Sequence, residues 1–172
     1  MKKVKKQNNS YIYSIICNLV IVVFTMVASF ILFSGIKITL GTELVLETGR
    51  LGMFQFFTVD SNIFMGIVAL LFMIKEMEFL KGKIKEIPKS YYLLKLIATT
   101  SVVLTFVIVF IYLGPIFEGG TISMLRNSNI FLHLLMPLLS MITFMFFEKT
   151  DVINIKNTFV SIIPMSIYGI FI

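Results

Sequence analysis

Tryptophan is absent from the 172 residues, and cysteine and histidine occur once each. A lone cysteine, Cys17, makes no internal disulfide and supplies no zinc-binding set, so a disulfide scaffold and a zinc module are both excluded. Cys17 lies in an apolar run and reads as a small residue facing a neighbouring helix. Charge is scarce as well. Charged residues make up 14% of the chain, against about 25% in an ordinary soluble domain. With 58% apolar residues and a mean hydropathy of +0.96, too few polar side chains remain to cover a water-soluble core. The same composition excludes a disordered linker. What is left is an integral membrane protein.

A helix rises about 1.5 Å per residue and needs about 20 residues to cross ~30 Å of hydrocarbon. Apolar runs of that length fall at 11–36, 52–74, 91–117 and 129–147, with a shorter one at 158–172. The sequence therefore predicts one all-α domain over 1–172, a polytopic transmembrane helix bundle with four complete spans and a partial fifth. The last run reaches only about 22 Å, so a chain truncated from a longer gene is expected. MKKVKKQNN ahead of the first run has the shape of a secretory signal. The run is too long for a cleaved h-region, however, and no A-x-A site follows, so it is expected to stay as the first span.

The net charge of +6 would raise nucleic acid as a partner in a soluble protein. Here the basic residues lie between apolar runs and mark topology instead, and no nucleic-acid partner is expected. Twelve of the fifteen fall on one side: Lys2, Lys3, Lys5 and Lys6; Lys75, Lys81, Lys83, Lys85, Lys89 and Lys95; Lys149 and Lys156. Lys37, Arg50 and Arg126 fall on the other. The positive-inside rule puts the N-terminus in the cytoplasm of a plasma-membrane protein, with the 37–51 and 118–128 loops outside. Tyr11, Tyr13, Tyr91 and Tyr92 would line the inner interface and Tyr112 the outer one. The KGKIKEIPK stretch needs no role beyond topology.

Polar residues inside spans are expensive and therefore informative. GMFQFFTVDSNIFMGIVALLFMI crowds Gln55, Thr58, Asp60, Ser61 and Asn62 into one end of the second span. NIFLHLLMPLLSMITFMFF carries His133, with Pro137 four residues on. On the expected topology Thr58 lies ~9 Å and His133 ~6 Å from the outer surface, a matched depth that suggests an outer-leaflet polar pocket. On a regular helix Gln55, Thr58, Ser61 and Asn62 share a face, whereas Asp60 lies about 200° from Thr58. Asp60 must then face another neighbour, sit at a distorted turn or carry a proton. Pro137, lacking an N–H, should kink the fourth span beside His133. Asn18, Thr25, Ser29, Ser34, Thr99, Thr100, Ser101 and Thr105 read as helix–helix packing. Glu118 and Arg126 read as loop charges. Glu148 and Asp151 fall at the opposite end, too far from the pocket to join it. Neither a metal nor a cofactor is suggested.

FQFFTVDSNIFMGIVALL resembles the Phe-Thr-x-x-Ser-Asn signature of bacterial six-span membrane proteins of the Pr-six-Pr type, and FLHLLMPLLSMITFMFFE resembles their Leu-His-x-x-x-Pro span. Those proteins are similar in turn to the androgen-induced and androgen-dependent TFPI-regulating proteins, intramembrane hydrolases of fatty-acid esters with a catalytic threonine and histidine. The resemblance runs over about residues 10–172 and implies a further span beyond the chain. It implies Thr58 as nucleophile, with Ser61 as the alternative matching position, and His133 as its base. Asn62 or Gln55 would then hold the oxyanion and Asp60 would orient the imidazole, with membrane lipids as partners and an acyl ester as substrate. The competing readings are a non-catalytic protein that binds lipid or a small solute, a transporter, and a structural membrane subunit.

Overall fold

The structure, a computed structural model, describes residues 2–35, 52–117, 119–148 and 153–171. The 37–51 loop with Lys37 and Arg50 lies outside these residues, as do Glu118, Lys149, Asp151 and the side chains of Lys2, Lys3, Lys5 and Lys6.

Five principal helices account for nearly all of the described chain, and no strand occurs among the described residues. They are α1 (Lys2–Ser34), α2 (Phe57–Leu80), α3 (Lys89–Ile116), α4 (Phe131–Phe146) and α5 (Ile155–Phe171). Three segments, Asn9–Ser34 within α1, α2 and α3, are long and apolar enough to cross a membrane. The fourth apolar run, expected as a complete span, forms the shorter α4, and Lys89 rather than Tyr91 opens α3.

The helix ends follow local chemistry. Gly35, at φ +67°, closes α1 with its N–H on the Ile31 carbonyl, and Gly82, at φ +70°, closes α2 on the Phe79 carbonyl. Both adopt the left-handed conformation that glycine tolerates without a steric cost. Pro88, with φ fixed near the value a helix start needs, precedes α3.

Successive helices α1, α2 and α3 pack side by side, α4 packs against both α1 and α3, and α5 lies on the outer side of α3. The first four thus close a ring around one core. Its centre is Ile21, Met65, Val68, Ala69, Ala98, Val102 and Met136, all buried. Small residues let the backbones approach: a Cβ at Gly66 of α2 would collide with the Thr25 side chain of α1. Around this ring the apolar side chains point outward. Met26, Phe30, Ile111, Met145, Phe146 and Phe159 are each more than half exposed, as side chains that meet lipid rather than water are.

Two further clusters mark the ends of the bundle. Ala28, Met53, Val59 and Leu132 gather at one. Phe72, Ile87 and Tyr92 gather at the other, with Tyr11, Ile84 and Ile153 packed against them. The α2–α3 turn and the start of α5 therefore share an end with the N-terminal half of α1.

Two π-helical segments interrupt the ring, Ile108–Leu113 within α3 and Phe131–Leu135 at the start of α4. Each runs out two residues before a proline, Pro115 and Pro137. A proline ring clashes with the carbonyl four residues earlier, which for Pro137 belongs to His133. Widening that turn to π geometry relieves the clash. The kink expected beside His133 takes this form.

Candidate functional site

The FQFFTVDSN segment does not lie on one continuous helix. Gly52–Gln55 forms a 3₁₀ turn, Phe56 is extended, and α2 starts only at Phe57. Thr58 therefore stands in the first turn of α2 rather than well inside a helix that begins at Gly52. Asp60, half-buried, also lies in that turn, where the positive end of the helix dipole favours a carboxylate. This is a structural setting for Asp60 that needs no partner on the opposite face. Gln55 is exposed in the separate 3₁₀ turn and does not share the Thr58 face. Its carbonyl accepts a hydrogen bond from Tyr168 of α5 at 2.6 Å.

Ser61 and Asn62 are buried. Ser61 Oγ donates to the Thr58 carbonyl at 3.1 Å. Asn62 Nδ2 donates to the same carbonyl at 2.7 Å and to the Leu132 carbonyl of α4 at 3.2 Å. An amide NH₂ has two donors, and both are spent here. Asn62 is thus a tie between the two segments, not a free donor for an oxyanion. The tie reaches the residue beside His133, across 70 positions of sequence. His133 is 8% exposed, and its Nδ1 has no hydrogen-bond partner among the described residues. No hydrogen bond joins Thr58 to His133 among the described residues. The arrangement brings a half-buried hydroxyl and a buried imidazole to one end of the bundle without engaging them with each other. Arg126 is exposed.

The densest polar assembly lies at the other end, and the sequence reading misses it. Lys95, counted there among the topology charges, is fully buried and pairs with Glu148 at 3.1 Å. It also donates to Asn18 Oδ1 and sits 5.6 Å from the centre of the Phe72 ring. Asn18 Nδ2 donates to Glu148 Oε1 at 2.8 Å and Ser14 Oγ to the same oxygen at 3.1 Å. Asn18 is accordingly the hub of an ionic network, not a packing residue. Glu76 of α2 is fully buried beside the group, within electrostatic reach of Lys95 and Glu148. Tyr92, buried on α3, lies within reach of both carboxylates and of Tyr11. Three charged groups from α2, α3 and the end of α4 thus converge on α1. The available signal was three ionisable residues bordering apolar runs at one expected depth. The cytoplasmic count takes up Lys95, Glu148 reads as too far from the pocket, and Glu76 is not singled out.

Among the described residues no group of three or more His, Cys, Asp or Glu side chains is placed to hold a metal ion. Comparison with family models, with curated proteins and with solved structures finds no match.

Proposed function

We propose that this protein is an intramembrane lipid-ester hydrolase of the Pr-six-Pr type, working at the end of the bundle that holds Thr58 and His133. The observation that carries the reading is the Asn62 tie. One side chain holds the Thr58 carbonyl and the carbonyl beside His133, so the two residues of the resemblance belong to one polar assembly. Buried with Nδ1 unpartnered, His133 has a nitrogen available for the proton of an incoming nucleophile.

In this mechanism Thr58 Oγ1 attacks the ester carbonyl while its proton passes to His133. The tetrahedral intermediate collapses with return of that proton to the leaving alcohol. Water then hydrolyses the threonyl ester by the same route, regenerating Thr58 and releasing the fatty acid. With the Asn62 donors engaged and the Val59 and Asp60 N–H groups bonded to the Phe56 carbonyl, oxyanion stabilisation falls to the Phe57 and Thr58 N–H groups that open α2. Asn62 is a positioning residue. The helix junction expels no substrate chain into water, because the ring's outer face is apolar and acyl chains lie against it.

The orientation that fits this role puts the N-terminus in the cytoplasm of the plasma membrane and the Thr58 end in the outer leaflet. Lys81, Lys83, Lys85, Lys89 and Lys156 are exposed at the opposite end, as the positive-inside rule asks of a cytoplasmic face. Labelling of the membrane-reconstituted protein by a fluorophosphonate probe, together with hydrolysis of a long-chain fatty ester, tests the proposal. Labelling and turnover should both be lost in Thr58→Ala and kept in Ser61→Ala. Full hydrolysis by Thr58→Ala overturns Thr58 as the nucleophile, and a wild type without hydrolysis overturns the proposal in favour of a lipid-binding or structural protein.

A further inference from the structure

The buried cluster at the opposite end has a charge imbalance that its own groups do not resolve. Lys95 neutralises Glu148, and the hydrogen bonds of Ser14 and Asn18 are directed to the same Glu148 oxygen. Glu76 is left over. It is 0% exposed, and neither of its oxygens has a hydrogen-bond partner among the described residues. The second Glu148 oxygen, Oε2, is also without one.

An ionised carboxylate in that position would be desolvated, unpaired and close to a second carboxylate, a combination costing several kcal/mol. The charged and polar groups facing it are all accounted for among the described residues. From α1 come Tyr11, Ser14 and Asn18; from α3, Tyr92 and Lys95; from the end of α4, Glu148. On α2 itself, Lys75 is committed to Glu78 at 2.7 Å, a partly exposed pair. One cation serves two carboxylates, so one positive charge is missing. A metal ion is a poor candidate to supply it, because the Lys95 ammonium already lies against the Glu148 and Asn18 oxygens and would repel it.

We propose that the cluster is a proton-binding site in which Glu76 holds one exchangeable proton. A neutral Glu76 balances the cluster at zero net charge and converts an orphan acceptor into a donor, and Glu148 Oε2, also without a partner among the described residues, is the carboxylate oxygen of the group left open to accept. Glu76 lies four residues before the end of α2, about 6 Å of helix from the α2–α3 turn. Its proton therefore exchanges with water on that side, where Lys81, Lys83 and Lys85 are exposed. Ionisable groups buried in spans in this way carry protons in pumps and transporters. The site stands apart from Thr58 and His133 and does not depend on the hydrolase reading.

Infrared spectroscopy of the full chain in lipid bilayers at neutral pH tests this directly. The wild type should show the carbonyl stretch of a protonated carboxylic acid, shifted on transfer to D₂O. The band should vanish in Glu76→Gln and persist in Asp60→Asn, which controls for another acid near a span; it should also be lost in Glu148→Gln, where Lys95 is left with Glu76 as its counter-charge. Glu76→Gln, an isostere of the neutral acid, should match the wild type in thermal stability. If Glu76→Gln fails to fold, Glu76→Asp, which keeps an acid in a changed setting, should move the band while Asp60→Asn leaves it in place. Absence of the band, its survival in Glu76→Gln, or loss in Asp60→Asn overturns the proposal. So does a thermal stabilisation of the wild type by Na⁺ over choline that Glu76→Gln abolishes, which would show an ionised carboxylate holding a metal cation.

Discussion

At the end that holds Thr58 and His133, polar side chains are satisfied mostly within their own helix. Ser61 and Asn62 turn back to the Thr58 carbonyl, and Asn62 is the side chain that crosses to α4. At the opposite end the polar side chains reach across the bundle: Ser14 and Asn18 to Glu148, Lys95 to both Asn18 and Glu148, Ser10 to the Phe147 carbonyl. The difference separates two uses of polarity in a membrane. Local bonds leave the Thr58 hydroxyl and the His133 imidazole without a bond to each other, as the proposed hydrolase would need them before a substrate enters. Long-range bonds involving buried charge fix the helices to one another, and removing one member strands the others.

The sharpest way to break the comparison is to strand a charge. Lys95→Ala leaves Glu148 buried, with its neighbours and no cation. Loss of one partner from a buried ion pair costs about 3–5 kcal/mol, because the remaining charge is uncompensated. Thermal unfolding in detergent should show that loss, and Lys95→Met combined with Glu148→Leu should recover most of it. If the single and double variants are equally unstable, the lysine acts through packing and the contrast between the ends disappears.

The second prediction concerns the other end. His133→Leu stays close to the volume of the buried side chain and removes the Nδ1 that has no partner among the described residues. Stability should change by less than about 1.5 kcal/mol, as for other volume-conserving replacements. Ester hydrolysis should fall about 10²–10⁴-fold, the usual contribution of a general base. A stable variant with unchanged hydrolysis would remove His133 from the chemistry and make both ends of the bundle structural.

How far the sequence reached follows the same division. Helix existence was legible because composition and run length decide it, and so was the turn at Pro137, because a proline acts on the carbonyl four residues before it. The break at Phe56 was not. FQFFTV has no glycine or proline to mark it, and the packing of Met53 and Phe56 against Ala28 and Leu132 selects the 3₁₀ turn instead. That packing is also why Gln55 parted from Thr58. Lys95, Glu76 and Glu148 were hidden for a different reason. A charge bordering an apolar run reads as interfacial, and only the closing of α1, α2, α3 and α4 into a ring shows that its side chain points inward.

The smallest expected effect is the one that probes the link between motif and helix ring. Asn62→Ala deletes two hydrogen bonds, one within α2 and one to α4. Bonds of this kind between membrane helices contribute about 0.6 kcal/mol each on average, because the separated helices find other partners. The Thr58 carbonyl keeps its bond from Ser61, so only the Leu132 carbonyl is left to adapt, and the widened π turn around it has room to do so. A stability loss of about 1 kcal/mol by thermal unfolding is therefore expected, well below that of Lys95→Ala. Hydrolysis should suffer disproportionately, since in the proposed mechanism kcat depends on the mutual placement of Thr58 and His133 while folding does not. A variant with wild-type kcat and lowered stability would make Asn62 one more packing contact. One with near-normal stability and a lowered kcat would show that the tie sets the geometry in which a weak nucleophile meets its base.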